Sequence, residues 1–432
     1  MDFLMFGAFI VSLLLLLIAG VPVAVSLGIV GIVGGALLIS PAMIDQLSQI
    51  AFTQSSSFVL IVAPLFVLMS EIISSSSIGT RLFTVVQMWL GRLPGALGMA
   101  AVISCSGFAA ICGSSPVTAA TIGKVAIPEM SKIGYSERLA LGATAAGGTL
   151  GILIPPSIAL ILYGVITETS IGDLFIAGII PGIMTAILLC FTIFVIVLKN
   201  PSLAPAVQEK VRMKERVTGL IHVTPILILA FLVIGSIYIG MTTPTESAAF
   251  GVVGALVIVF TMRQLGLKNL STVLSNTVKT TGMFFLLVIG GMFTSFVLTR
   301  LRIPQGMAEF ILGLEVPGWA IIVIINVLIL ILGMFLDPMS ILVIVVPIFF
   351  PTVVGLGFDP IWFGILVTIN MEIGAITPPV GFNLFVLKSV IPNVKMSDVV
   401  VGSLWFVVPL LASLIIIGIF PKIALYLPSL MS

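Results

Sequence analysis

Two sets of oxygen-bearing and helix-breaking residues recur along this chain. The first comprises Ser104, Ser106, Ser114, Ser115, Gly148, Thr149 and Gly151; the second comprises Gly333, Asp337, Asn370, Glu372, Gly374 and Thr377. Oxygen-rich chemistry with almost no sulfur or imidazole suits alkali cations better than transition metals. Ser115-Pro116 and Asp337-Pro338 each read as a helix N-cap followed by proline at the first helical position. Such starts leave backbone amides unpaired and attract anions, while the carbonyls of unwound turns attract small hard cations. The combination suits a carboxylate-bearing solute moved together with Na⁺.

Each set also carries the same word, Gly-x-x-x-Pro-Pro: Gly151 with Pro155-Pro156, and Gly374 with Pro378-Pro379, both deep in uncharged apolar runs. Proline removes a backbone donor and clashes with the preceding turn, so each word predicts a broken helix. Freed backbone groups survive at membrane depth only around a polar cavity or inside protein. Paired interruptions in two halves of a chain point to the central site of a secondary transporter.

The elements that position these residues are membrane helices. Hydrophobic residues make up 59% of the 432 and charged residues 8%, far below the roughly 25% charged of a soluble domain. Charge-free runs such as Phe3–Ile44 and Leu174–Leu198 meet the roughly 20 residues that cross a bilayer. The first run has no basic flank before it and continues past Val21-Pro22, which predicts a retained span. A net charge of +2 without a basic patch argues against nucleic acid. Cys105, Cys112, Cys190 and His222 form neither a disulfide framework nor a metal-ligand pattern.

The chain repeats itself. The glycines of the two words are 374 − 151 = 223 residues apart, and the same shift links Gly134-Tyr135 to Gly357-Phe358, Pro128 to Pro351 and Gly28 to Gly251. Ser115-Pro116 falls against Asp337-Pro338 at 337 − 115 = 222. The shift implies duplication, with residues 1–198 and 218–432 as the two units and a basic linker, 199–217, between them. Lys199, Lys210, Arg212, Lys214 and Arg216 outnumber Glu209 and Glu215 there, so the linker is expected on the cytoplasmic side.

Walking outward from the linker predicts five crossings per half, with the second half inverted and both termini periplasmic. The expected fold is all-α and polytopic: about ten spans, two of them discontinuous (139–166 and 361–386), and two re-entrant hairpins (94–129 and 317–351) turning at Gly113–Pro116 and Leu336–Pro338. Arg300 and Arg302 break the charge rule by falling on the outer side, where a surface helix would carry them.

Several of these words resemble one family. Cys112–Gly123, Gly148–Pro156, Gly240–Ala249, Gly374–Pro379 and Pro64–Glu71 are similar to the large, DctM-like membrane (permease) subunit of TRAP (tripartite ATP-independent periplasmic) transporters, across essentially the whole chain. The resemblance implies a bacterial inner-membrane protein, a mobile transport domain sliding as an elevator against a scaffold, and Na⁺ coupling. It also implies a small four-span membrane subunit and a periplasmic binding protein that delivers an organic anion. Carried onto this chain, the Na⁺ regions match the two sets named above, and the substrate region matches Ser115, Pro116, Pro155, Pro156, Asp337, Pro338, Pro378 and Pro379. Met69-Ser70-Glu71 and the run Ser74–Ser77 depart from the family's usual Ala-Gly-Glu run and Asn/Gly-rich turn.

Each residue also has a structural reading. Asp337 can act only as a cap, Glu372 can pair with a nearby amide, and buried serines often bond their own preceding carbonyl. An ionisable group far from both ends of a span is nevertheless functional by default. Two other classes compete: a self-sufficient ion-coupled anion symporter or antiporter of a related inverted-repeat fold, and an intramembrane enzyme. The second lacks any Ser/Lys, Ser/His or His-Glu-x-x-His pattern, so no enzymatic activity and no cofactor other than the coupling ion are expected.

Overall fold

The computed structural model describes residues 2–205, 212–264, 266–313 and 316–431. Within the basic linker, residues 206–211, which include Glu209 and Lys210, lie outside the described residues. All regular structure among the described residues is helical.

The helices recur in the same order in the two halves. Val23–Leu38 is followed by Met43–Ser55, Val62–Ser74 and Ile78–Leu90; a hairpin of Ala96–Cys112 and Ser115–Lys132 comes next, then a broken pair, Glu137–Thr149 and Ile158–Thr167, and a long helix, Ile171–Lys199. After the linker, Pro244–Thr261 matches Val23–Leu38 and Ile303–Leu312 matches Ile78–Leu90. The second hairpin is Gly318–Gly333 with Pro338–Gly355, the second broken pair is Pro360–Ala375 with Phe382–Val390, and Met396–Ile419 is the long helix that follows.

The halves differ at two places, and the first is their opening element: Asp2–Ile18 is one helix, whereas Met213–Leu220 and Thr224–Tyr238 meet at 42°. Where the first half has Met43–Ser55 and Val59–Ser74 meeting at 64°, the second has one helix, Leu267–Arg300, of 34 residues. The uncharged apolar runs here, 59–70 and 281–298, cover only part of each. Asp45, Gln46, Gln49 and Gln54 give the earlier segment a polar character that a search for uncharged runs passes over.

Among the described residues, five helices are long and apolar enough to cross a membrane, or up to seven if each of two bent pairs is one span. Apolar helices of 10–17 residues, among them Ile158–Thr167 and Pro360–Ala375, are too short to span alone. Arg81 lies on Ile78–Leu90 and Arg302 precedes Ile303–Leu312, so both arginines sit at short helices beside the hairpins.

The first halves of the broken pairs occupy the core. Every residue from Leu139 to Thr149 and from Trp362 to Ala375 is buried, as expected for helices apolar on all faces. Small residues permit this. A Cβ on Gly142 would lie 2.2 Å from the Gly402 carbonyl oxygen, and one on Gly402 would lie 2.0 Å from that of Arg138, so Glu137–Thr149 and Met396–Ile419 cross backbone to backbone. Beside that crossing, Arg138 Nε donates to Asp398 at 2.8 Å.

Candidate functional site at the hairpin tips

The first hairpin turns at Gly113, whose φ of 67° lies in the left-handed region that glycine tolerates. Ser114 follows in extended conformation as the N-cap, so Ser115 and Pro116 are the first two helical residues. This corrects the expectation that Ser115 caps. The capping position remains open, because the Ser114 side chain makes no capping hydrogen bond. Ser115 is fully buried, and its Oγ accepts from Asn383 Nδ2 at 2.5 Å, which ties the first tip to the second broken pair.

The first break packs onto this tip through its glycines. A Cβ on Gly151 would meet the Ser114 carbonyl oxygen at 2.7 Å and Thr118 Oγ1 at 2.8 Å, and one on Gly148 would meet Ala119 Cβ at 2.5 Å. Ile158 N donates to the Gly113 carbonyl at 3.3 Å. Two buried hydroxyls here, Ser104 Oγ and Thr118 Oγ1, have no hydrogen-bond partner. By contrast, Thr149 Oγ1 bonds Ala146 O at 2.7 Å and Ser106 Oγ bonds Val102 O at 3.0 Å, so both serve their own helices.

The second tip repeats the plan with an acid in it. Asp337 is the N-cap of Pro338–Gly355, accepting from Ser340 N at 3.2 Å and from the Ser340 hydroxyl. A Cβ on Gly374 would stand 2.6 Å from Gly333 Cα and 2.8 Å from its carbonyl oxygen, so only glycine fits where the break meets the hairpin. Val380 N, beyond the paired prolines, donates to Met334 O at 3.0 Å. Thr377 Oγ1 bonds Ile373 O at 2.5 Å, and Asn370 Nδ2 reaches Asn326 Oδ1 at 3.0 Å. Asn370 Oδ1 and both carboxylate oxygens of the fully buried Glu372 have no partner. Buried polar atoms are nearly always satisfied, so orphans concentrated beside two helix breaks mark places where an absent group would be held.

The two tips line one cavity of about 460 Å³. Ser114 and Pro116 contribute from the first, and Asp337, Pro338 and Ser340 from the second. The breaks contribute the flanking Ile152, Ile158 and Phe382; Pro155, Pro156, Pro378 and Pro379 are absent from the wall, so they shape the breaks without facing this space. Thr280, Met283, Phe284 and Leu287 of the long helix and Ala24 and Val67 of the first half close the far side. Among the described residues no basic side chain lines the cavity, which leaves helix N-termini as its anion-attracting feature.

Sequence reasoning missed Asn383, Asn326 and the apolar wall from the long helix. Asn383 follows the second paired prolines by four residues, and a polar residue that close to a predicted break was the available signal. Nothing local marks Met283 or Phe284, because their role arises from packing between elements.

Residues 10–423 match the family described as Tripartite ATP-independent periplasmic transporter, DctM component. The C4-dicarboxylate TRAP transporter large permease protein DctM of Pseudomonas aeruginosa is 38% identical over 91% of this chain and 91% of its own. The sialic acid TRAP transporter large permease protein SiaM of Vibrio cholerae is 32% identical over 96% of each chain. Among solved structures, the Alcanivorax borkumensis YdaH transporter shares the fold with a TM-score of 0.61 at 14% identity, covering 89% of this chain and 88% of that one. With hairpins, breaks and matches spanning nearly its whole length, the chain belongs to the DctM family of tripartite ATP-independent periplasmic transporters.

Proposed function

We propose that this chain is the membrane permease of a Na⁺-coupled importer of a small organic anion, working with a small membrane subunit and a periplasmic binding protein in the bacterial inner membrane. The observation that carries this reading is the cavity shared by Ser114–Pro116 and Asp337–Ser340. Two helices begin at its wall, so their unpaired amides favour a carboxylate there.

Na⁺ is proposed at the contacts between each tip and its neighbouring break. The first region holds the Ser114 carbonyl, the orphaned Thr118 hydroxyl and the Gly148–Gly151 turn, with Ser104, Ser106, Ser115 and Thr149 around it. The second holds Gly333, Asp337, Gly374 and Thr377, with Asn370 and Glu372 supplying buried oxygens from the helix before the break. These are hard oxygen donors of the kind Na⁺ takes, and Asp337 brings a negative charge to its site. Filling the two sites fixes the tips, and the substrate carboxylate then docks on their amides.

The hairpins and broken pairs are proposed to move as one elevator body against the remaining helices, with the second repeat inverted relative to the first and both termini periplasmic. Relatives named for cargoes as different as a C4-dicarboxylate and sialic acid share this chain's sequence at similar levels. The identity of the anion therefore belongs to the binding protein more than to this subunit. The test is uptake into proteoliposomes holding all three components with candidate organic acids. Uptake is expected to require an inward Na⁺ gradient and the binding protein, and uptake indifferent to Na⁺ would overturn the ion assignment.

A further inference from the structure

A second cavity, of about 560 Å³, lies away from the tips between Asp2–Ile18, Val23–Leu38 and the junction of Leu267–Arg300 with Ile303–Leu312. Its walls are apolar, with Phe9, Leu16 and Val30 facing Leu298 and Leu301. The one hydroxyl, Ser12 Oγ, is spent on Phe9 O at 2.9 Å. The groove opens outward: Leu15 is 61% and Val33 48% exposed. Gly34 deepens it, since a Cβ built there meets nothing within 4 Å.

Two exposed arginines adjoin the groove along the chain without lining it. Its lining residues Leu301 and Ile303 alternate in sequence with Arg300 and Arg302, both exposed. Arg300 lies over the Phe296 ring at 5.1 Å, and the ion pairs among the described residues, Lys132–Glu129 and Arg138–Asp398, involve neither arginine. These are also the two arginines that break the charge rule of the topology expected from the sequence. An apolar slot flanked by two arginines that form no ion pair among the described residues is complementary to a lipid tail carrying an anionic head.

We propose that this groove is a binding site for an anionic phospholipid, with an acyl chain along Phe9, Leu16 and Val33 and the headgroup phosphate on Arg300 and Arg302. The site is remote from the central cavity and does not depend on the transport reading.

The test is native mass spectrometry of the full chain after delipidation, titrated with palmitoyl-oleoyl phosphatidylglycerol or with the phosphatidylcholine of the same tails. The wild-type chain is expected to retain one phosphatidylglycerol in preference to phosphatidylcholine. The double variant Arg300→Gln/Arg302→Gln is expected to lower phosphatidylglycerol retention roughly tenfold, and Gly34→Phe to abolish retention of both lipids. Lys422→Gln, a basic residue elsewhere, should leave retention unchanged. If Gly34→Phe fails to fold, Gly34→Leu and the arginine pair decide. Equal retention by wild type and the arginine variant overturns the proposal. So does a photo-crosslinker at Val33 that labels a protein subunit instead of lipid in the assembled transporter.

Discussion

Asp337 combines a structural task with a proposed electrical one, and the two separate on substitution. Its carboxylate caps Pro338–Gly355 through Ser340 N, a task asparagine performs about as well. Asp337→Asn should therefore leave the thermal midpoint within a few degrees while weakening Na⁺ activation of uptake roughly tenfold, because ligand charge tunes cation affinity. Unchanged Na⁺ activation would leave Asp337 as a cap alone. The glycine contact at the second break makes a steric prediction. A methyl at Gly374 must displace Gly333 backbone 2.6–2.8 Å away, so Gly374→Ala is expected to cost about 1–3 kcal/mol and to lower uptake more than Gly34→Ala, which enters open space. Equal uptake by the two variants would show that the tip tolerates displacement. The two tips and the two breaks were readable at this scale because Gly, Pro and capping residues act on their own backbone. Asn383 was not, since its bond to Ser115 joins residues 383 − 115 = 268 positions apart.

Elements that stop and start by local punctuation were readable from sequence, and those shaped by their neighbours were not. Gly113 and both Gly-x-x-x-Pro-Pro words ended helices, and Ser114 and Asp337 with Pro338 began them, where the residues required it. Met43–Ser55 and the extension of Leu267–Arg300 escaped because their polar residues fit a surface as well as a helix against other helices. The crossing of Glu137–Thr149 with Met396–Ile419 was equally invisible, because a glycine alone does not reveal which backbone approaches it. That crossing sets packing against charge. Arg138 is 53% exposed in its pair with Asp398, so Arg138→Gln should cost less than about 1 kcal/mol. Gly402→Ala forces a methyl to 2.0 Å from Arg138 O and should cost about 3 kcal/mol or more. Thermal unfolding in detergent orders the two variants, and a larger loss for Arg138→Gln would mean the ion pair, not the close backbone approach, holds these helices together.

At the scale of the molecule, the proposed transport cycle requires the second hairpin to slide past the long helix, and among the described residues those two elements meet through apolar side chains. Gly291 of Leu267–Arg300 lies directly against Val343 of Pro338–Gly355, where a Cβ would come within 1.7 Å of the valine Cγ1. Val288, Met292 and Pro347 line a small void at the same junction. A smooth apolar surface with one glycine lets a packed pair shift as rigid bodies, the shear type of domain motion. Joining Val288→Cys to Val343→Cys with a short thiol crosslinker, in a chain whose Cys105, Cys112 and Cys190 are replaced by serine or alanine, should therefore abolish uptake. Reduction of a cleavable crosslinker should restore it. Each single-cysteine chain should transport normally after the same treatment, which separates blocked motion from damage at either position. If the crosslinked chain still carries substrate at the wild-type rate, the hairpin and the long helix move together, and the sliding boundary must lie elsewhere in the fold.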